Sequence, residues 1–260
     1  TQCTLALHVD DIFATSENAA LIAEFVDLIR RKYGQYTVQE GPVLGHLGMT
    51  LDYRIAGQVS ITMEGCVQTL MSAYDPQDTA VTPATSELFV TRESDAPGNR
   101  LATPAEHKQD RSALAVCLYM AKRTYPQIGC AVAFLTTRVN VWSLDDRKKL
   151  QRMLKYIKGL GVSGLIFRFG RVFTVTAWVD ASYGTHADTG CAITVGDVGT
   201  VYAKSSKQKI TTKSSTEAEL VAVSDSANQG FFVRNFIAAQ GHVIGPLIIY
   251  QDNMSCMSLL

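Results

Sequence analysis

The stretch from Lys204 to Leu220 constrains the fold of this chain most, because it predicts a basic, polar loop that runs directly into a helix start with two acidic residues. Short β-like runs lie on both sides of it, and each run ends in an aspartate, Asp180 before it and Asp252 after it. Strands, then a helix, then a returning strand predict an α+β or α/β domain from residue 164 to residue 260.

Two strand ends and one helix start can bring three carboxylates together, those of Asp180, Glu219 and Asp252. Oxygen ligands of this kind suit hard divalent cations, and a pair of Mg²⁺ ions ~3.5–4 Å apart needs several of them. The spacings Ser214-x-x-Glu217 and Thr216-x-x-Glu219 also match the capping box, in which a glutamate only satisfies backbone N–H groups. Spacing alone therefore leaves a metal site and ordinary turn and cap roles both open.

Composition is typical of a globular protein, with 47% apolar and 18% charged residues. Lys plus Arg and Asp plus Glu both number 24, so nucleic-acid binding would depend on local basic patches and not on net charge. The six cysteines form no C-x-x-C pair, which favours buried thiols in a reducing compartment over zinc ligands or disulfides. No apolar run reaches the ~18 residues of a membrane span, so we expect no membrane partner.

The acidic pair Asp10-Asp11 interrupts an alternating apolar pattern, which predicts a hairpin turn at or near the pair. A helix that begins at Ser16 and stops at Gly34 is expected next, followed by a second hairpin over residues 47–63 and a short helix over 67–74. Taken alone, the pair is more typical of solvated turn residues than of a metal site.

The middle of the chain begins with a polar stretch, residues 75–104, which we interpret as a linker or a loosely ordered loop. Helical patterns then cover residues 112–123, 126–139 and 143–158, and the last of these begins with the cap pair Ser143 and Asp146 and stops at Gly159. The cations of this last helix indicate either a solvated face or a phosphate contact. A further helix is expected around 230–240, and Trp142 and Trp178 are predicted to lie in the core.

Four segments of the C-terminal part, in this order, resemble the ribonuclease H domain of copia-type LTR retrotransposon polyproteins. They are Trp178-Val-Asp-Ala-Ser182, Lys204-Ser-Ser-Lys-Gln-Lys209, Ser214-Ser-Thr-Glu-Ala-Glu-Leu220 and Tyr250-Gln-Asp-Asn253. Upstream, Leu7-His-Val-Asp-Asp11 is similar to the family's reverse-transcriptase palm motif, usually Tyr-Val-Asp-Asp. Three more segments are similar to family segments, namely Leu44–Met49, Thr124-Tyr-Pro-Gln-Ile128 and Leu154-Lys-Tyr-Ile-Lys-Gly159. The resemblance covers nearly the whole chain.

The resemblance implies a multidomain α+β and α/β fold. Residues 1–65 would be the C-terminal part of a reverse-transcriptase palm, and residues 66–163 a helical thumb and connection region with the linker near 75–104. Residues 164–260 would be a ribonuclease H-like mixed sheet with helices, truncated at its C-terminus. The chain begins without Met and ends just after an acidic motif, so we expect a fragment.

The resemblance also implies the site residues. Asp180, Glu219 and Asp252 would be catalytic ligands of Mg²⁺, with Mn²⁺ as an alternative, and Glu219 is preferred to Glu217 because the family's ligand directly precedes an apolar residue, here Leu220. A fourth acid of the family lies beyond the last residue. Asp10 and Asp11 would be the paired catalytic metal ligands of the palm, whose third aspartate precedes the first residue. The lysines that would contact phosphates are Lys204, Lys207, Lys209 and Lys213.

The implied parent enzyme performs RNA-directed DNA synthesis and two-metal cleavage of the RNA strand of RNA–DNA hybrids. Its partners would be RNA–DNA hybrids, DNA, RNA and deoxynucleoside triphosphates. It would be intracellular, in cytoplasmic virus-like particles or in the nucleus, and the fragment itself would be weakly active or inactive. The alternative is a non-catalytic, degenerate retroelement remnant that at most binds nucleic acid. An unrelated metal-dependent hydrolase is a third class.

Overall fold

The computed structural model describes residues 2–168, 170, 172–184, 187–196 and 199–260 and shows a mixed α/β protein with several sheets. The chain opens with an antiparallel hairpin of β1 (Cys3–His8) and β2 (Asp11–Ser16), followed by α1 (Ala19–Tyr33). His8 lies opposite Asp11, so Val9 and Asp10 form the turn, and Val9 has φ +56°. The predicted hairpin at the acidic pair is therefore confirmed.

Helix α1 begins slightly later than the sequence predicts. The side chain of Asn18, and not that of Ser16, accepts the N–H of Ala20 and caps the helix. Ser16 lies in β2, where its hydroxyl donates to the carbonyl of Gln2 and thereby links the two strands of the hairpin. Gly34 ends the helix as predicted, with φ +83°.

The second sheet contains β3 (Val43–His46), β4 (Met49–Asp52), β5 (Gln58–Thr62) and β6 (Gly164–Arg168), in that order and antiparallel throughout. The sequence assigns β6 to the C-terminal domain, but Gly164 pairs with Thr62 and Arg168 with Gln58. The strand assigned to the C-terminal side thus pairs with a strand on the N-terminal side, and the domain boundary at residue 164 stays a prediction.

Between β5 and β6 the chain forms a layer of helices. They are α2 (Glu64–Tyr74), α3 (Pro104–Ala121), α4 (Gly129–Thr137) and α5 (Leu144–Leu160), with short 3-10 turns at Pro126–Ile128 and Val139–Val141. Their apolar faces form one core, and Trp142, 4% exposed, belongs to it as predicted. Thr103 caps α3 through a capping box with Glu106, so this helix begins earlier than expected. Gly161, with φ +63°, ends α5 in place of Gly159.

The segment predicted as a linker or loose loop packs against α5. Lys155 forms an ion pair with Asp78 at 3.0 Å, Arg152 donates to the hydroxyl of Thr82 at 2.9 Å, and Lys149 donates to the carbonyl of Val90 at 2.6 Å. Leu88 inserts into the helical core with 5% of its surface exposed. These three cations of α5 therefore bind the segment 75–104 of the same chain. The sequence predicted either a solvated face or a phosphate contact for them, and not this packing.

The C-terminal sheet has the order β10-β7-β8-β9, from β7 (Phe173–Ala181), β8 (Asp188–Val195), β9 (Thr200–Lys207) and β10 (Ile244–Tyr250). β10 runs parallel to β7, and the other neighbours are antiparallel. Helix α6 (Ser215–Ala239) packs on one face of the sheet, and α7 (Met254–Leu259) follows β10. Among the described residues, every helix is too short or too polar to span a lipid bilayer.

Helix α6 is continuous, whereas the sequence predicts a second helix around Gly230. A Cβ on Gly230 would lie 2.8 Å from Cδ2 of Leu247 on β10, so the glycine allows the helix to approach the strand closely. The glycine that resembles a break in the sequence is therefore a packing position inside the helix.

Three cysteines meet the expectation of buried thiols, namely Cys117, Cys191 and Cys256. All six cysteines are free, and burial raises the pKa of the Cys117 thiol to about 12. Cys130 differs because it is exposed.

Candidate metal centre

The carboxylates of Asp180, Glu219 and Asp252 converge at one edge of the C-terminal sheet. Each offers an oxygen, and these oxygens all lie within 4.8 Å of one another. Asp180 is near the end of β7, Asp252 follows β10, and Glu219 lies near the start of α6. The sequence-predicted set is thus brought together in space from three separate elements.

The parallel pairing of β7 and β10 explains why the two aspartates meet. Trp178 lies opposite Tyr250 in the register, and Asp180 and Asp252 each follow two positions later. Alternate residues of a strand share a face, and parallel strands end at the same edge of a sheet. The aspartates therefore reach the same edge, where both are exposed.

Glu219 reaches the aspartates from the face of the sheet that α6 covers, and only 6% of its surface is exposed. The amide of Gln251 donates to its Oε2 at 2.8 Å. Burial raises the pKa of Glu219 above its usual value, and the negative charges of Asp180 and Asp252 add to this effect. Hydrogen bonds from Gln251 and the backbone N–H of Ala181 act in the opposite direction.

This donor set fits a hard divalent cation. All three groups are carboxylates, the ligand type that Mg²⁺ and Mn²⁺ share. A buried carboxylate beside two others is electrostatically unfavourable by itself, and a cation between them would relieve the repulsion. Within the described ranges, this is the one group of three or more acidic, His or Cys side chains close enough to hold an ion together.

The structure gives different contacts to Glu217 and Glu219, which spacing alone did not distinguish and of which the resemblance favoured Glu219. Ser214 caps α6 by accepting the N–H of Glu217 at 3.1 Å, and Glu217 accepts the N–H of Lys213 at 2.6 Å. The expected Ser214 cap is present, although the carboxylate of Glu217 reaches back one residue further than in a capping box. Glu217 is therefore occupied with the helix start, while Glu219 faces the aspartates.

Asp10 and Asp11 lie in the first hairpin and are exposed. They border a cavity of about 420 Å³ that α1 and the segment around His46 also line. The group formed by Asp180, Glu219 and Asp252 does not include them, and their assignment stays a prediction.

The four lysines proposed to contact phosphates are all exposed. Lys204 and Lys207 belong to strand β9, where the sequence predicts a loop, and Lys209 and Lys213 lie between β9 and α6. Gln208 anchors this connection, since its buried amide donates to the carbonyl of Ala218 at 2.9 Å. The four lysines thus lie on the end of β9 and on the connection that Gln208 fixes to the first turns of α6.

Trp178 was predicted to lie in the core, but 51% of its surface is exposed. The prediction was wrong because Trp178 shares the face of Asp180, opposite to α6, where it stacks on Tyr250 with ring centroids 4.4 Å apart. Together they line a cleft of about 810 Å³ that has Asp180 and Asp252 on its wall and extends to Cys130 and Ala133 of α4. The repeated pattern aromatic-x-Asp was the signal in the sequence for this arrangement.

Gln251 is the residue of the centre that the sequence reasoning missed. It lies between Tyr250 and Asp252, and its side chain points to the face of α6. The alternation of faces along β10 could have indicated this direction but not the partner.

Comparison with known proteins gives distant relatives over 98% of the chain, although no protein-family model matches it. The retrovirus-related Pol polyproteins from transposons RE2 and RE1 of Arabidopsis thaliana are 25% and 24% identical over 98% of this chain. That from transposon TNT 1-94 of Nicotiana tabacum is 21% identical over the same share. The chain spans 17% of the length of the two Arabidopsis proteins and 20% of the tobacco protein. This chain is therefore a distant relative of the retrovirus-related Pol polyproteins of copia-type transposons.

Proposed function

We propose that this chain is part of a retrotransposon reverse transcriptase and ribonuclease H. Its C-terminal part, which contains the sheet of β7 to β10 with α6 and α7, would be the ribonuclease H-like part, which cleaves the RNA strand of RNA–DNA hybrids. The observation that carries the proposal is the convergence of Asp180, Glu219 and Asp252 within 4.8 Å. The mixed sheet with a helix on one face, and relatives that are Pol polyproteins, support it.

The carboxylates of Asp180, Glu219 and Asp252 would hold Mg²⁺, or Mn²⁺ in its place. When bound, such ions supply charge stabilisation for displacement at a phosphodiester. The protein's own contribution is to hold the three oxygens close together before a cation arrives, since β7, the start of α6 and the segment after β10 meet at one edge of the sheet. Preorganisation of this kind removes the cost of gathering like charges during the reaction.

Lys204, Lys207, Lys209 and Lys213 would contact the phosphates of the hybrid. They are exposed and lie on β9 and on the connection that leads to Glu219. Contacts to phosphates position the nucleic acid without reading its sequence. A hybrid held there would approach the carboxylates along the C-terminal sheet.

The N-terminal hairpin would belong to the reverse-transcriptase palm, with Asp10 and Asp11 as metal ligands for RNA-directed DNA synthesis. Its support is the resemblance of Leu7-His-Val-Asp-Asp11 together with the position of the pair at a tight hairpin turn. RNA, DNA and deoxynucleoside triphosphates would be its partners, and the proposed location is the cytoplasm, in virus-like particles, or the nucleus.

The direct test is cleavage of a labelled RNA–DNA hybrid in Mg²⁺ or Mn²⁺ by the longer polyprotein that we propose contains this chain. Asp180→Asn should abolish cleavage, whereas Glu24→Gln, on the exposed surface of α1, should leave it unchanged. Unchanged cleavage by Asp180→Asn would show that the metal centre is elsewhere. If the parental polyprotein does not cleave hybrids at all, the non-catalytic remnant is the better description.

Binding tests the lysines separately from cleavage. Affinity of the chain for a hybrid in EDTA should fall as salt rises, and removal of one phosphate-binding lysine should reduce the slope of log K against log salt by about 0.9 or less. Lys207→Gln with Lys209→Gln should flatten that slope. The control pair Lys32→Gln and Lys108→Gln, exposed on α1 and α3, should not. Equal slopes for the two pairs would contradict the assignment.

A further inference from the structure

Gln251 uses both ends of its amide at the metal centre. Its Nε2 donates to Oε2 of Glu219 at 2.8 Å, and its Oε1 accepts the backbone N–H of Asn253 at 2.9 Å. The residue directly precedes Asp252, but its side chain lies on the opposite face of the strand, towards α6. The amide thus connects the loop that carries one acid of the centre with the side chain of another.

Glu219 needs such a partner because a glutamate side chain has several rotatable bonds, and the helix fixes only its backbone. The carboxylate lies in a nearly closed environment with Asp180 and Asp252 as negative neighbours. Repulsion favours rotation of Glu219 away from the aspartates when no cation is present. A donor that is itself fixed opposes this rotation.

The loop that holds Gln251 is fixed in turn. The side chain of Asn253 accepts the N–H of Cys256 at 2.9 Å and caps α7. Cys256 is fully buried in the core between α6 and the sheet. A continuous series of contacts therefore runs from that core through Asn253 and Gln251 to the carboxylate of Glu219.

We propose that Gln251 is a positioning residue that holds Glu219 towards Asp180 and Asp252 and thereby strengthens cation binding. This inference rests on the metal centre of the proposed function and adds a residue that does not itself bind the cation. Partners of metal ligands, when removed, typically weaken metal affinity by about 10–100-fold. Removal of the Gln251 donor should act at the lower end of that range, because the N–H of Ala181 also contacts Glu219.

Terbium luminescence provides a test on the chain itself, without catalysis. Trp178 is two residues from Asp180 on the same strand face, about 7 Å along it, and can sensitise a Tb³⁺ ion at the centre. Gln251→Met keeps the length of the side chain and removes the donor, and we expect about 10-fold weaker Tb³⁺ affinity. Gln68→Met is the matched control, because Gln68 donates to Glu64 at 3.0 Å on the exposed surface of α2.

Two further variants separate positioning from loop stability. Asn253→Ala removes the cap of α7 but keeps the Gln251 donor, so it should lower the unfolding temperature and weaken Tb³⁺ affinity clearly less than Gln251→Met does. Gln251→Asn keeps an amide but shortens the side chain, and it should weaken affinity as Gln251→Met does. If Gln251→Met does not fold, Gln251→Asn takes its place in the test.

The outcomes distinguish this inference from the proposed function. Wild-type affinity in Gln251→Met, or an equal loss in Asn253→Ala, overturns the role of Gln251 and leaves the metal centre intact. No Tb³⁺ or Mn²⁺ binding by the wild type, or unchanged binding in Asp180→Asn, overturns the centre and the role of Gln251 together.

Discussion

Trp178 and Tyr250 stack across the parallel strand pair of the C-terminal sheet, with ring centroids 4.4 Å apart and planes at 20°. The two rings lie opposite each other in the register of β7 and β10, and that register also places Asp180 and Asp252 at the same edge. The aromatic contact and the acidic centre are therefore two results of one strand alignment.

The stack should contribute measurably to stability. In a double-mutant cycle of Trp178→Ala and Tyr250→Ala, we expect a coupling free energy of about 0.5–1.5 kcal/mol from urea unfolding, as for other aromatic pairs. Trp178→Ala combined with Tyr36→Ala, near α1, should be additive within about 0.5 kcal/mol. A coupling no larger than this control would mean that the rings do not stabilise the alignment.

Substitution of Glu217 and of Glu219 by glutamine should affect different properties, stability in the first case and cation affinity in the second. Glu217→Gln weakens the contact with the N–H of Lys213 at the helix start, and we expect destabilisation of about 0.5–1 kcal/mol with unchanged Tb³⁺ or Mn²⁺ affinity. Glu219→Gln should lower cation affinity strongly, because it removes the charge of one of the three proposed ligands. Isothermal titration and urea unfolding of both variants check this, and a cation-binding defect confined to Glu217→Gln would reverse the assignment.

Stability should depend on pH through Glu219. Its pKa is raised in the folded protein, so ionisation costs free energy there, and the penalty is absent below the usual carboxyl pKa, where the group is protonated in both states. As pH rises, Glu219 ionises at a lower pH in the unfolded chain than in the folded protein, so the folded state loses stability over that range. Glu219→Gln, which does not ionise, should therefore have a higher free energy of unfolding than the wild type near neutral pH in EDTA.

The increase in the free energy of unfolding that Glu219→Gln gives over the wild type should shrink towards zero as the pH falls to about 4. Urea unfolding at several pH values measures it, and Glu24→Gln on the exposed face of α1 serves as the control with no such trend. A gain that is constant with pH would indicate a packing effect in place of a charge effect.

Two glycines test the pairing of β5 with β6. A Cβ on Gly164 would lie 2.2 Å from the carbonyl oxygen of Ile61, so Gly164→Ala must displace one strand and should destabilise by about 1–3 kcal/mol. Gly65, in α2, has no atom within 4 Å of such a Cβ, and Gly65→Ala should stabilise by up to about 1 kcal/mol. Thermal or urea unfolding compares them, and equal effects would contradict the observed pairing.

Features determined by neighbouring residues were predictable from the sequence. The hairpin at Asp10 and Asp11 and the capping box of Ser143 with Asp146 are local, and both are present. The three acids of the centre were also identified, because each ends or begins a recognisable element.

Features determined by distant contacts were not predictable. Glu217 and Glu219 have equivalent cap spacings, so spacing alone did not distinguish them. The family resemblance favoured Glu219, and the contacts with Gln251 and the aspartates lie far from it in sequence. The exposure of Trp178 depends on which face α6 covers, and the continuity of α6 through Gly230 depends on Leu247. None of these partners is near in sequence to the residue that it affects.

The pairing of β5 with β6 has a consequence for how the molecule forms and how it can be divided. Its contacts close a loop that contains the entire helical layer, from Thr62 to Gly164. Closing a long loop costs entropy, and contacts distant in sequence slow folding, so this strand pair should form late. A fragment that ended at Ser163 would lack β6 and leave β5 as an open edge, which can recruit a strand from another molecule and lead to aggregation.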